Sequence, residues 1–77
     1  MPTDPPAWVL TRRQVIGARI RAARTDADLT QEALGERVGI DNKTVHRIEY
    51  AISDPTLTVL LGIAKATGVP LADLVRE

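Results

Sequence analysis

Two glycines four residues apart, Gly35 and Gly39, lie within QEALGERVGIDNKTVHRIEY (residues 31–50) and leave that stretch few ways to fold. Thr30 precedes it and can accept a hydrogen bond from the first turn of a helix. Leu34 and Val38 then recur at helical spacing until Gly39, which tolerates the left-handed conformation that ends a helix. Asp41 can cap a second helix over residues 42–50, with Val45 and Ile48 on its inner side. Two helices meeting at a steep angle so close together need a position without bulk at their crossing, and Gly35 supplies it. Leu34, Val38, Ile40, Val45 and Ile48 are then available to fasten the pair to the rest of the chain.

The remainder of the 77 residues can only support one domain around one aliphatic core. Cysteine and Phe are absent, and Trp8 and Tyr50 are the sole aromatics, so neither a disulfide nor a thiolate metal site assists. Residues 1–10, with three prolines, read as a flexible arm, and residues 11–77 as the folded domain. Thr11 with Gln14 reads as a capping box, and Leu10 with Val15 as a hydrophobic staple. Ile16, Ile20, Ala23 and Ala27 form the inner stripe of this first helix, which TDADL (residues 25–29) breaks. Thr56 caps a fourth helix, with Leu57, Leu60, Leu61 and Ala64 facing inward and Gly68 ending it. Pro70 opens a last short helix carrying Leu71, Leu74 and Val75 inward. No segment alternates with period two, so the expected class is all-α with five helices.

Formal net charge is zero, but its distribution is uneven. Arg12, Arg13, Arg19, Arg21 and Arg24 fall in a stretch without acids, whereas the rest of the chain has five bases and ten acids. The sum alone favours a solvated surface over a nucleic-acid site. No apolar run nears the roughly 20 residues that span a bilayer, and MPTDPPAW lacks the marks of a secretory leader, so the expectation is a cytoplasmic protein without membrane partners. Nothing forms a nucleophile with its base, a carboxylate pair or a phosphate-binding loop, which argues against an enzyme. His46, the single histidine, has no soft ligands near it, so neither metal nor cofactor is expected.

LTQEALGERVGIDNKTVHRIE followed by DPTLTVLLGIAKATGVPLADLV resembles the Cro/repressor-type (XRE) helix-turn-helix family across nearly all of residues 11–76. The resemblance implies a lambda-repressor-like DNA-binding domain whose helix 42–50 enters the major groove of duplex DNA. With Val45 and Ile48 inward, Asn42, Lys43, His46, Arg47 and Tyr50 are left on the outer face. Asn can bond adenine bidentately, and Arg or Lys can bond guanine. Carried over position by position, Asn42, Lys43 and Arg47 are the candidate base readers. His46 is a further candidate, Thr44 is placed to meet a base or a phosphate, and Gln31 matches the family's phosphate contact. Arg24 and Glu49 match a structural ion pair, and Tyr50 reads as helix-end packing. Two positions depart from the pattern: Ala51 stands where a glycine is usual, and Asp54 where bases grip phosphate. The expected role is a sequence-specific regulator, a repressor, acting as a homodimer through Ile52, Trp8 or residues 71–75. The alternative is a protein-interaction module or antitoxin-type partner protein with weak DNA binding or none.

Overall fold

The computed structural model describes residues 4–77, and five helices make up its regular structure: α1 (Ala7–Asp26), α2 (Gln31–Val38), α3 (Asn42–Glu49), α4 (Leu57–Thr67) and α5 (Leu71–Val75). Among the described residues there is no strand. The domain is all-α, as the periodicity predicts.

Local chemistry sets most of the boundaries. The Thr30 hydroxyl accepts from the Ala33 N–H, the Asp41 carboxylate from Thr44 and the Thr56 hydroxyl from Val59, so the caps expected at these three positions are formed. Gly39 ends α2 at φ 90° and Gly68 ends α4 at φ 75°, both in the left-handed region. Ala51 occupies that region as well, at φ 61°. Behind it, Ile52 N–H bonds the Arg47 carbonyl at 2.8 Å and Ala51 N–H bonds that of Ile48 at 3.2 Å. This is a Schellman-type end, so α3 stops as a glycine would have stopped it, with alanine in the strained position.

The start of α1 differs from expectation. The helix begins at Ala7, not Thr11, with Pro6 as its N-cap residue. Proline presets φ and has no N–H to leave unpaired, so Pro5-Pro6 opens a helix where an arm was expected. The Thr11 hydroxyl donates back to the Ala7 carbonyl at 3.1 Å, so the capping box with Gln14 does not form, and Leu10 is exposed. Part of the expected arm, residues 1–3, lies outside the described residues.

Ile20, Ala23, Leu34, Val45, Ile48, Ile63 and Leu74 form the buried core, with Ile16, Val38, Ile40, Val59 and Leu60 packed against it. Each large aliphatic side chain there contributes about 1.5–3 kcal/mol through burial. Every helix supplies at least one of these seven, so the core joins all five. On α4 the expected inward face is only partly right. Val59, Leu60, Ile63 and Ala64 pack on the core, while Leu57 and Leu61 are exposed. Leu74 is buried on α5, but Val75 turns outward.

Two close approaches fix α3. A methyl group at Gly35 would run into the Ile40 carbonyl, so the turn folds over α2 only because that position is bare. At Gly17 it would lie 2.5 Å from the Glu49 carbonyl oxygen and 2.8 Å from that of Ile48. The end of α3 therefore rests directly on the backbone of α1.

Candidate nucleic-acid interface

With Val45 and Ile48 at 1% and 4% exposure, the opposite face of α3 is set by geometry alone. Asn42, Lys43, His46 and Arg47 are exposed on it, and Thr44 is half-buried at the edge. Asn42, Lys43, His46 and Arg47 line one open concavity together with Gln31 from the first turn of α2. The structure thus gathers five of the six expected site residues on one surface. Thr44 lies beside them, its backbone N–H donating to Asp41 Oδ1 at 2.7 Å.

Behind this face lies a buried polar network. Glu49 has a fully buried side chain, and its two carboxylate oxygens accept from Arg24 Nε at 2.6 Å and Nη2 at 3.0 Å. Arg24 also donates to the Leu29 carbonyl at 2.9 Å, tying in the loop before α2. The bonds to Glu49 hold the Arg24 guanidinium above its ordinary pKa, against the opposing effect of burial. Gln31 Nε2 completes the set, 3.2 Å from Glu49 Oε1 and 3.3 Å from His46 Nδ1. One carboxylate therefore locks three helices and orients Gln31 on the outer surface. At the N-terminus of α3, Thr44 holds the Asp41 carboxyl below its ordinary pKa through its side chain and backbone N–H, with smaller help from the charges of Arg47 and Lys43.

The stretch after α3 is less repulsive toward an anion than its sequence implies. Arg13 of α1 lies 3.2 Å from Asp54 Oδ1 and donates to the Ala51 carbonyl at 3.2 Å. Against an anion at α2 stands Glu32, in the first turn of that helix.

A family model described as "Helix-turn-helix" matches residues 20–74. The chain belongs to the Cro/repressor-type (XRE) helix-turn-helix family. In this helix-turn-helix, α2 and α3 are the two helices and Gly39 lies in the turn. The chain is 32% identical to the cryptic phage CTXphi transcriptional repressor RstR of Vibrio cholerae, over 82% of this chain and 57% of that protein. It is 38% identical to the repressor protein C2 of Salmonella phage P22 over 69% of this chain and 24% of that protein. It therefore spans a little over half of the one and a quarter of the other. The crystal structure of the P22 c2 repressor in complex with synthetic operator 9T superposes with a TM-score of 0.76 at 33% identity, covering 82% of this chain and 96% of that one. The restriction-modification controller protein C.AhdI of Aeromonas hydrophila superposes with a TM-score of 0.80 at 28% identity, covering 84% and 94%.

Two features of the helix-turn-helix surface were not anticipated from sequence. Gly17 carries a signal that the helix-turn-helix motif itself does not contain: a glycine three residues before Ile20 on the buried stripe of a helix marks a close approach. Tyr50 was expected to pack at the helix end, yet it is half exposed, with its ring centroid 4.6 Å from that of His46 and the Arg21 guanidinium 4.9 Å above it. No local pattern links residues 21, 46 and 50.

Proposed function

We propose that this protein is a sequence-specific, double-stranded-DNA-binding transcriptional regulator, a repressor, that inserts α3 into the major groove. One observation carries the reading: Asn42, Lys43, His46 and Arg47 project together from a helix whose other face is locked into the core. Asn42 suits an adenine edge, and Lys43 and Arg47 suit guanine. His46 and Thr44 border the same base pairs, while Gln31, steadied by Glu49, meets a backbone phosphate. The operator complex of the P22 c2 repressor, similar in fold and sequence, supports the same mode here.

The protein acts by binding, not catalysis, and works in the cytoplasm. No described helix is long and apolar enough to cross a membrane. Two copies bind as a homodimer on half-sites about one helical turn apart, since one such module covers little DNA. Ile52, Leu57 and Leu61 are more than half exposed and favour a self-association surface around the start of α4. The zero net charge favours a second reading, a protein-interaction module or antitoxin in which those apolar side chains meet a different protein.

Selection of random duplexes with the purified protein tests this. A shared half-site is expected, lost on Arg47→Ala while thermal unfolding stays unchanged. No enriched sequence, together with a co-purifying protein partner, would overturn it in favour of the second reading.

A further inference from the structure

Four of the five arginines of α1 between positions 12 and 24 are engaged by the protein itself. Arg12 donates to the carbonyls of Val75 and Arg76, and Arg19 to those of Leu74 and Arg76. Both close the carbonyl end of α5, where cations are favoured. Arg13 is held by Asp54 and the Ala51 carbonyl, and Arg24 by Glu49 and the Leu29 carbonyl. Among the described residues, Arg21 is the one of the five whose guanidinium has no hydrogen-bond or ion-pair partner; it lies over the face of Tyr50.

That placement matters because of what stacking leaves free. A guanidinium on an aromatic face keeps its in-plane N–H donors available, in a fork that matches phosphate oxygens. Tyr50 in turn leans on His46, which belongs to the concavity of Asn42, Lys43, Arg47 and Gln31. Arg21 therefore continues the α3 surface onto α1. Gln14, Ala18 and Arg21, on one side of α1, line a second open concavity with Tyr50 and Glu49. The one acid there, Glu49, has its carboxylate turned inward onto Arg24 and Gln31. This corner presents a free cation, a phenol and an amide, with no free acid.

On the reading above, which this step rests on, α3 fills the groove and α1 lies at its flank. From this geometry we infer that Arg21, held on Tyr50, is a phosphate clamp for the DNA backbone beside the groove. It replaces a contact that the segment after α3, without a base between Tyr50 and Thr56, does not make. Tyr50 serves as the platform that aims the guanidinium.

The test uses the intact protein, the duplex selected by wild type, and a binding series from about 50 to 200 mM salt. Arg21→Ala makes the slope of log K against log salt shallower by about one unit and leaves the preferred sequence unchanged. Arg21→Lys, which keeps the charge, recovers the slope. An unchanged slope in Arg21→Ala overturns the assignment, including where weaker binding comes with a lowered melting temperature, the mark of a structural role. A changed sequence preference overturns it too, since a clamp reads no base. Wild-type protein that binds no duplex removes both this inference and the function it rests on; wild type that binds, with Arg21→Ala unaltered, removes the inference alone.

Discussion

Replacing Gly17 by alanine sets two known effects against each other. In an exposed helix interior, Gly→Ala stabilises by about 1 kcal/mol through backbone propensity. At residue 17 the added methyl carbon would sit 2.5 Å from the Glu49 carbonyl oxygen and 2.8 Å from that of Ile48. Carbon and carbonyl oxygen approach to roughly 3.3 Å at closest, so α1 and the last turn of α3 must separate by several tenths of an ångström. Both sides of the contact are backbone, and no rotamer can relieve it. Overpacking costs about 1–3 kcal/mol, and a backbone-on-backbone clash without rotamer relief falls in the upper part of that range, about 2–3 kcal/mol. After the propensity gain, a net loss of about 1–2 kcal/mol remains. For a domain of this size that lowers the melting temperature by roughly 4–16 °C. Gly62→Ala is the control. It is also mid-helix, but its new methyl would meet only the Val38 side chain, at 3.2 Å, and the change lies within about 0.5 kcal/mol of wild type. Thermal unfolding of the two variants side by side decides the matter. Gly17→Ala melting at or above Gly62→Ala would refute the claim that α3 rests on a bare stretch of α1.

Three other perturbations probe the frame around the site. Arg24→Met strands the Glu49 carboxylate in the core and destabilises by about 3–5 kcal/mol, whereas Arg24→Met with Glu49→Leu recovers most of the loss; urea unfolding that gave additive losses would contradict this. Ala51→Gly relieves about 1–2 kcal/mol of left-handed strain, but it uncovers one buried methyl's worth of stability, about 0.8 kcal/mol, and loosens the unfolded chain by about 0.4–1 kcal/mol. Its melting point therefore stays within a few degrees of wild type, and a rise equivalent to more than about 1.5 kcal/mol would show that the buried-methyl contribution is absent. The carboxyl of Asp41 is held below its ordinary value of 3.8, so its contribution is complete above that pH and is lost as pH falls through the lower, folded-state value. Asp41→Asn keeps a capping acceptor that does not titrate, so the stability gap between the two proteins is constant near neutrality and changes only below about pH 4; parallel melting curves down to pH 2 would exclude Asp41 from the acid response.

What could be read in advance divides by the range of the interaction. Thr30, Asp41, Thr56, Gly39 and Gly68 each act within a turn of their own position, and all five were legible. Thr11 misled because two local signals competed, and the prolines before it open the helix one turn earlier. On α4 the failure has another origin. Nearly every position of LTVLLGIAKA is apolar, so periodicity does not choose a face. The choice is made by α2, whose Val38 closes over Gly62, and Leu57 and Leu61 are left outside. Of the site, the α3 face followed once Val45 and Ile48 were assigned inward. The Gln31–Glu49 bond and the stack of Arg21, Tyr50 and His46 join residues from different helices and leave no trace in local spacing.

A chain with no net charge can still present a locally basic surface. Ten bases and ten acids cancel in the sum, but charge acts on a partner only where it is both exposed and unpaired. Arg12, Arg13, Arg19 and Arg24 hold α1 against α5, the end of α3 and the loop before α2, so the arginine-rich stretch is chiefly a set of internal fasteners. Glu49, inside the network, subtracts nothing from the outer field because Arg24 neutralises it in place. On this side of the molecule Lys43 and Arg47 stand exposed on α3, and Arg21 lies over Tyr50 at the end of that helix. On the proposed reading, three cations at this surface grip few phosphates, so the electrostatic part of DNA binding and its salt dependence are expected to be modest. On the same reading, discrimination then falls to the edges of Asn42, Lys43 and Arg47, and pairing of two copies on adjacent half-sites would supply the occupancy that one module lacks.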